Sequence, residues 1–262
     1  MKIVIVLLFS TFAVAQAQDF ALKQLEKSPR HNEWIVVKSG NRNIHCFVAY
    51  PEKAVNTPAI IVIHENRGLT DWVRSFTDQL AGAGYIAIAP DLLSGFSADK
   101  DRTSSFANSD EARDALYQLD PVQITDDLNA VERYAEIMHS SNGKTAVIGF
   151  CWGGSQSFRF ATNNDHISAA LIFYGSAPEK DAMKRITAPV YGFYGENDQR
   201  ITSGVTETAK LMNELGKKYD YRIYPGAGHA FMRQGDDPEG SAASEEARDK
   251  SWSRIKEILS KL

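Results

Sequence analysis

The chain has 262 residues, of which 43% are apolar and 24% are charged. These fractions are ordinary for a globular protein, so the composition excludes a chain that is mainly disordered. The formal net charge of −4 leaves no overall positive field that would favour nucleic acid. Two cysteines are too few for a disulfide scaffold or a four-cysteine zinc site.

The first segment of the chain, residues 1–17, has the pattern of a secretory signal peptide. Lys2 precedes an apolar run over residues 3–15, and Ala15-Gln16-Ala17 has the small-x-small form of a cleavage site. We expect a mature chain that begins at Gln18 and is exported, to the periplasm or the medium. The alternative is a membrane anchor, but the apolar run is shorter than the about 20 residues of a spanning helix. No stable membrane anchor is therefore expected.

Strand and helix patterns alternate along the rest of the chain. Apolar runs and alternating patterns predict eight strands, at residues 35–37, 44–50, 59–63, 85–89, 145–150, 167–173, 190–194 and 219–224. Helical spacing predicts helices at residues 71–83, 110–119, 124–138, 152–162 and 205–215, and a last one that carries Trp252, Ile255, Leu259 and Leu262 on one face. Asn142-Gly143 is expected to end the helix over 124–138, and residues 235–246 are expected to form a loop. We predict one α/β domain over residues 18–262, with a mostly parallel sheet of about eight strands and helices on both faces.

The strongest chemical motif is Gly149-Phe150-Cys151-Trp152-Gly153-Gly154, which lies between a predicted strand and a predicted helix. It matches the G-x-nucleophile-x-G elbow, with cysteine as the nucleophile. Small flanking residues let the strand and helix approach closely, and the helix N-terminus favours a thiolate and a developing oxyanion. The alternative is a structural cysteine buried near a glycine-rich turn.

Two more polar motifs follow the last two predicted strands. His229 ends the glycine-rich loop 226–229, where a general base is expected, and Asp198 ends the loop 195–198. Asp198 is predicted to orient the imidazole of His229, with Glu196 as the local competitor. The order Cys151, Asp198, His229 is the nucleophile, acid, base order of α/β-hydrolases. The alternatives are a surface histidine and a solvated turn carboxylate.

The third strand ends in His64-Glu65-Asn66-Arg67-Gly68. Loops at this position of the fold supply one N–H group of the oxyanion hole. A carboxylate directly after an apolar strand is costly to bury unpaired, so Glu65 is a candidate functional residue. The alternative for Glu65 is an ion pair at the strand end, with Arg67 as the candidate partner. His64 is interpreted as a packing group at the strand end.

These motifs, together with Gly228-His229-Ala230-Phe231, resemble the dienelactone hydrolase (carboxymethylenebutenolidase) family over residues 33–260. The resemblance implies an α/β-hydrolase fold and hydrolysis of an enol-lactone or another small ester. It implies a Cys-His-Asp triad, no cofactor and no metal. The catalytic residues implied by position are Cys151, His229, Asp198 and, as the group that controls the thiol proton, Glu65; the implied oxyanion donors are the backbone N–H groups of Asn66 and Trp152.

The family binds the substrate carboxylate with arginines, and Arg233 matches one of these by position. Arg102 is the candidate for the other, and Tyr174 is expected to line the pocket. Three residues differ from the lactone-cleaving type at the pocket mouth, namely Arg67, Trp152 and Ala230. Arg67 replaces an aromatic residue there and is the remaining candidate for substrate binding.

The sequence therefore predicts a hydrolase that cleaves a small, carboxylate-bearing ester or lactone through a thioester on Cys151. An exported carboxylesterase or deacetylase of broad specificity is the first alternative, and a thiol sensor or binding protein without turnover is the second. Cys46 and Cys151 are expected to be free thiols. Their strands lie about three intervals of 4.8 Å apart in the usual strand order, beyond the about 7 Å that a disulfide spans. A monomer or small homo-oligomer is expected.

Overall fold

The apolar runs of the sequence form the strands of one sheet. The structure is a computed structural model, and it describes residues 19–53 and 56–262. The predicted signal peptide lies outside the described residues. Within the described ranges, no helix is long and apolar enough to cross a membrane.

Eight strands form the sheet, in the spatial order β1-β2-β4-β3-β5-β6-β7-β8. β1 pairs antiparallel with β2, β2 pairs antiparallel with β4, and all other neighbours are parallel. The strands are β1 (Asn32–Ser39), β2 (Arg42–Ala49), β3 (Thr57–Ile63), β4 (Ile86–Pro90), β5 (Ser141–Phe150), β6 (Ala169–Phe173), β7 (Val190–Gly195) and β8 (Tyr219–Tyr224). This is the predicted α/β-hydrolase fold with a mostly parallel sheet.

Helices cover both faces of the sheet. They are α1 (Asp19–Glu26), α2 (Asp71–Gly82), α3 (Ser109–Leu116), α4 (Pro121–Glu136), α5 (Trp152–Phe160), α6 (Lys180–Met183), α7 (Gln199–Thr202), α8 (Val205–Glu214), α9 (Phe231–Asp236) and α10 (Ala242–Leu259). The buried side chains of α3, α4, α5 and α8 pack in the core on one face, and those of α1, α2, α9 and α10 pack in the core on the other.

Strand β3 shows why the central strands are apolar along their whole length. Ile61 and Ile63 point into one core and Ile60 and Val62 into the other, and all four are fully buried. Successive side chains of a strand point to opposite faces, so a strand with helices on both sides needs apolar residues at every position.

Most predicted elements are present with bounds shifted by a few residues, and the predictions for two connections are wrong. Asn142-Gly143 does not end a helix, because α4 ends at Glu136 and these residues begin β5. Residues 235–246 are not one loop, because α9 continues to Asp236 and α10 begins at Ala242. The side chain of Ser241 caps α10 by accepting the N–H of Ser244 at 3.2 Å. Alanine and glutamate favour a helix even where no apolar stripe is visible.

The parallel strands bring the chemical motifs to one edge of the sheet. Each motif follows the carboxyl end of β3, β5, β7 or β8, and these strands, with β6, are consecutive in the sheet. The carboxyl edge of such a sheet is where ligands bind in α/β proteins.

Candidate active site

Cys151 lies in a sharp turn between β5 and α5. Its backbone has φ +56° and ψ −117°, a conformation that is strained for any residue with a side chain. Its N–H donates to the carbonyl of Phe173 at 3.0 Å, which fixes the turn against β6. The predicted nucleophile elbow therefore has the strained geometry that this motif requires.

The glycines of the elbow permit this close approach. A Cβ on Gly149 would lie 2.0 Å from the carbonyl oxygen of Gly153, and one on Gly153 would lie 2.3 Å from that of His64. Both contacts are with backbone atoms that cannot move aside. The start of α5 thus rests directly on the end of β3.

The two predicted oxyanion donors meet at the sulfur of Cys151. The backbone N–H groups of Trp152 and Asn66 both favour the thiolate and lower the pKa of Cys151. They belong to different segments, one at the start of α5 and one after β3. An oxygen bound at this point would receive two preorganised donors.

The net effect of the surroundings nevertheless raises the pKa of Cys151. Burial is the largest cause, followed by the negative charge of Glu65, while Arg200 lowers the pKa. The thiol is therefore neutral at neutral pH in the free protein. Within the described ranges, its sulfur forms no hydrogen bond with His229.

His229 and Asp198 form the pair that the sequence predicts. Nδ1 of His229 lies 2.5 Å from Oδ2 of Asp198, whose side chain is buried. The competitor Glu196 instead accepts the N–H of Gly226 at 2.8 Å. Nδ1 of the imidazole is thus held by the carboxylate, and His229 lines the same cavity as Cys151.

Glu65 forms an ion pair with Arg233 and not with Arg67, the partner considered in the alternative interpretation. Nε of Arg233 donates to Oε2 of Glu65 at 2.9 Å, and the carboxylate is almost completely buried. The charge of Glu65 raises the pKa of Arg233. Arg233 is therefore already paired, whereas the resemblance predicts an arginine that is available to the substrate.

A cavity of about 760 Å³ contains most of the predicted site residues. Eight of the ten lie on its wall together with eleven other residues. The predicted residues on the wall are Glu65, Asn66, Arg67, Cys151, Trp152, Tyr174, His229 and Arg233. Asp198 lies behind His229, and Arg102 is absent from the wall.

The wall of the cavity has an apolar side and a charged side. The apolar side comes from the connection between α3 and α4, with Leu116, Tyr117, Leu119, Pro121 and Ile124. The charged side carries Arg67 and Arg200 in addition to the Glu65–Arg233 pair. Neither Arg67 nor Arg200 forms an ion pair with any described residue, and both are exposed.

Tyr174 is buried and also lines the cavity. Its backbone has φ +40°, and its ring lies edge-on to the imidazole of His229, with 5.0 Å between ring centroids. Among the described residues, neither its hydroxyl nor the buried Oε1 of Gln156 has a hydrogen-bond partner. Both atoms therefore lack the partner that buried polar atoms normally have.

Arg102 does not join the other candidates. Its guanidinium lies 5.8 Å from the ring centroid of Trp34, beside a separate cavity that it lines with Arg74 and Thr103. The loop 94–108 that carries Arg102 matches no fixed motif, so its path depends on tertiary contacts. Cys46 is a buried free thiol on β2 and has no role in the site. Cys151 is the other free thiol.

Sequence reasoning missed Arg200 and the apolar side of the cavity. Arg200 follows Asp198 by two residues, in the short helix α7, so its closeness to the candidate acid was a usable signal. The apolar residues gave no such signal, because their spacing is that of ordinary core positions. In the described part of the chain, His, Cys, Asp and Glu side chains form no cluster of three or more that could hold a metal ion.

Comparison with known proteins identifies one family and its fold. Residues 44–262 match the model of the dienelactone hydrolase family. A provisionally named carboxymethylenebutenolidase of Saccharolobus solfataricus is 26% identical, with 86% of this chain and 96% of that protein covered. One of Yersinia pestis is 29% identical, with 89% and 90% covered. The crystal structure of a provisionally named dienelactone hydrolase from Klebsiella pneumoniae has a TM-score of 0.78 at 24% identity, covering 89% of this chain and 99% of that one.

Proposed function

The chain belongs to the dienelactone hydrolase family of carboxylic ester hydrolases, and we propose that it cleaves a small ester or lactone through a thioester on Cys151. One observation carries the proposal. The strained elbow places the sulfur of Cys151 beside two backbone N–H donors, in the cavity that the Asp198-paired imidazole of His229 also lines. A nucleophile, an oxyanion hole and an oriented base are the parts that acyl transfer requires.

The proposed reaction has two steps. In the first, the thiolate of Cys151 forms a bond to the carbonyl carbon, the oxyanion accepts the N–H groups of Asn66 and Trp152, and the C–O bond breaks. The leaving oxygen takes up the proton that the thiol gave up and departs as an alcohol, or stays attached when a lactone opens. In the second, His229 takes one proton from water as the water oxygen attacks the thioester, and it passes that proton to the sulfur of Cys151 as the C–S bond breaks. The acid product releases the remaining proton to solvent and leaves as a carboxylate.

Glu65 is proposed to control the proton of the thiol. Its charge and the burial of Cys151 keep the thiol neutral while Arg233 holds the carboxylate. An anionic substrate that competes for Arg233 would release Glu65 toward the sulfur. This is the scheme that the family resemblance implies, and the Glu65–Arg233 ion pair supports it.

The two sides of the cavity define the class of substrate that we propose. An acyl or alcohol group with an apolar or aromatic arm fits against Leu116, Leu119 and Ile124, and an anionic group fits beside Arg67 and Arg200. The cavity volume of about 760 Å³ suits a small molecule. A carboxylate-bearing ester or lactone has both features.

The last part of the proposal is that the protein is exported, and it rests on the sequence pattern of residues 1–17. N-terminal sequencing of exported protein tests it. A mature N-terminus at Gln18 is the expected result, and an intact Met1 on exported material contradicts it.

The decisive experiment measures initial rates of hydrolysis of p-nitrophenyl acetate and of cis- and trans-dienelactone. Wild-type protein, Cys151→Ala and Cys46→Ala are compared, because the last removes a free thiol outside the cavity. We expect turnover by wild type and Cys46→Ala, none by Cys151→Ala, and an acetyl adduct on the Cys151 peptide when the reaction is quenched.

Each outcome of this experiment distinguishes between the candidate functions. Dienelactone turnover identifies the substrate of the lactone-cleaving type, whereas turnover of the acetate alone identifies an esterase of broader specificity. Turnover by Cys151→Ala would contradict the nucleophile assignment. A single acylation of Cys151 without turnover would identify a thiol sensor and contradict the enzymatic proposal.

A further inference from the structure

His64 is a completely buried histidine beside the active site that the proposed reaction does not use. Its Nε2 accepts the N–H of Leu92 at 3.2 Å, and its Nδ1 lies 2.8 Å from the carbonyl oxygen of Glu65. A nitrogen that accepts an N–H carries no hydrogen, so the hydrogen of the neutral ring is on Nδ1 and is donated to Glu65. The partners therefore fix one tautomer.

The ring of His64 also contacts the side chain of Trp152, the residue that supplies the other oxyanion donor. It stacks on the indole of Trp152, with 5.5 Å between centroids and an interplanar angle of 9°. The backbone of His64 also packs against the start of α5, since its carbonyl oxygen lies 2.3 Å from where a Cβ on Gly153 would be. One residue thus touches both segments that supply the N–H donors.

We propose that His64 is a positioning residue that holds the oxyanion hole in its working geometry. The hydrogen bond from Nδ1 to the Glu65 carbonyl fixes the peptide plane between Glu65 and Asn66, and the N–H of that same peptide is the Asn66 donor. Carbonyl and N–H of one peptide unit are coplanar, so a donor that fixes the oxygen also aims the N–H. The inference rests on the proposed function, because it assigns a role in forming the oxyanion.

The surroundings of His64 favour positioning over proton transfer. Burial lowers its pKa, so the ring stays neutral, and His64 is absent from the cavity wall. The nearby carboxylate of Asp91 is occupied by the N–H of Thr103 at 2.6 Å, the hydroxyl of Thr103 at 2.8 Å and the N–H of Leu93 at 3.1 Å. The ring therefore has no free nitrogen to offer a substrate.

Three substitutions distinguish the roles of the two ring nitrogens of His64. In His64→Asn the side-chain amide can place an N–H where Nδ1 was, so the hydrogen bond to the Glu65 carbonyl is kept. In His64→Gln the amide reaches the position of Nε2 instead, and in His64→Phe the ring stacks on Trp152 without either polar atom. Val62→Ala is the control for lost packing, because it shortens a fully buried apolar side chain on the same strand.

Two rates are measured for each variant: acylation of Cys151 by p-nitrophenyl acetate and alkylation of Cys151 by iodoacetamide, both in the Cys46→Ala background. Acylation forms an oxyanion and alkylation does not. We expect acylation to fall by about 10- to 100-fold in His64→Gln and His64→Phe, because loss of a whole oxyanion donor costs about 100-fold or more. Alkylation stays near the wild-type rate, His64→Asn keeps most of the acylation, and Val62→Ala changes neither rate per active site.

Equal losses of acylation and alkylation would show a structural role alone and overturn the proposal. Wild-type acylation by His64→Gln would also overturn it. In both cases, acylation of Cys151 in the Cys46→Ala protein with His64 intact still supports the proposed function. If that protein is not acylated, the proposed function itself is refuted.

The wild-type protein supplies a second test that needs no variant at this position. Nitrogen NMR of the labelled histidines distinguishes the two neutral tautomers. We expect the Nδ1–H tautomer for His64 and a charge change at lower pH than in an ordinary histidine, because burial lowers its pKa. The other tautomer, or a charge change at the pH of an ordinary histidine or above it, would overturn the proposal.

Discussion

Nε of Arg233 donates to Oε2 of Glu65 at 2.9 Å, and these residues lie 168 positions apart in the chain. Arg233 belongs to α9, which follows β8, whereas Glu65 follows β3. The pair keeps a carboxylate buried next to the candidate nucleophile, where an unpaired charge would be costly. The ion pair therefore links α9 to the segment after β3 that carries Glu65.

Replacing Glu65 is expected to make the thiol more reactive. In Glu65→Gln the negative charge next to Cys151 is lost, so the pKa of Cys151 falls toward that of a free cysteine, about 8.5. Burial still raises the pKa of the variant. Alkylation by iodoacetamide near neutral pH becomes faster than in the wild type, because the thiolate is the reacting species.

The pH profile of alkylation gives the check. The thiolate fraction rises with pH, so the wild-type midpoint lies above that of a free cysteine, and the Glu65→Gln midpoint lies below the wild-type one. Both profiles are recorded without Cys46. Identical midpoints in the two proteins would show that Glu65 does not act on the sulfur.

Asp198 is expected to be essential for turnover, whereas Glu196 is not. Asp198→Asn leaves an amide beside Nδ1 and no longer favours the tautomer or the charge that His229 needs. A loss of kcat on the order of 1000-fold or more is expected, with little change in KM. Glu196→Gln is the matched control, because Glu196 binds the N–H of Gly226 and not His229. Equal losses of kcat in the two variants would contradict the assignment of Asp198.

Arg67 and Arg200 are expected to select anionic substrates. Arg200→Ala or Arg67→Ala should raise KM for a carboxylate-bearing aryl ester by about two- to fivefold, because exposed charge pairs contribute less than about 1 kcal/mol. The KM for the uncharged ester of the same size should not change. Arg102→Ala is the control, since Arg102 lies outside the cavity. An equal rise in KM for charged and uncharged esters would argue against charge recognition.

Gly153→Ala is expected to destabilise the fold at the elbow. The new Cβ would lie 2.3 Å from the His64 carbonyl oxygen and 2.4 Å from that of Ile63, so strand and helix must separate. A cost of about 1–3 kcal/mol in the free energy of unfolding, or more, is typical of overpacking. Gly204→Ala is the control, because its nearest neighbour would be the carbonyl oxygen of Ile201 at an ordinary 3.7 Å. Urea denaturation compares the two, and equal stability would contradict the close contact.

The prediction of the fold succeeded where local pattern and tertiary environment agree. The apolar runs of β3 and β5 identify buried strands because both faces of the sheet are covered. The prediction of a loop over residues 235–246 failed because α10 begins there with few apolar residues. The helix preference of alanine and glutamate and the Ser241 cap stabilise its first turn. Periodicity reports burial, so it does not detect a helix turn that faces solvent.

From the sequence alone one can predict the strand and helix order, the elbow around Cys151, and the pairing of His229 with Asp198, because each depends on local pattern or on the edge where parallel strands end. The tertiary structure was needed to show that Arg233 pairs with Glu65, that Arg102 lies elsewhere, and that Arg200 borders the cavity. These facts depend on where loops of separate strands meet, and loop paths are set by long-range contacts that no short window of sequence contains.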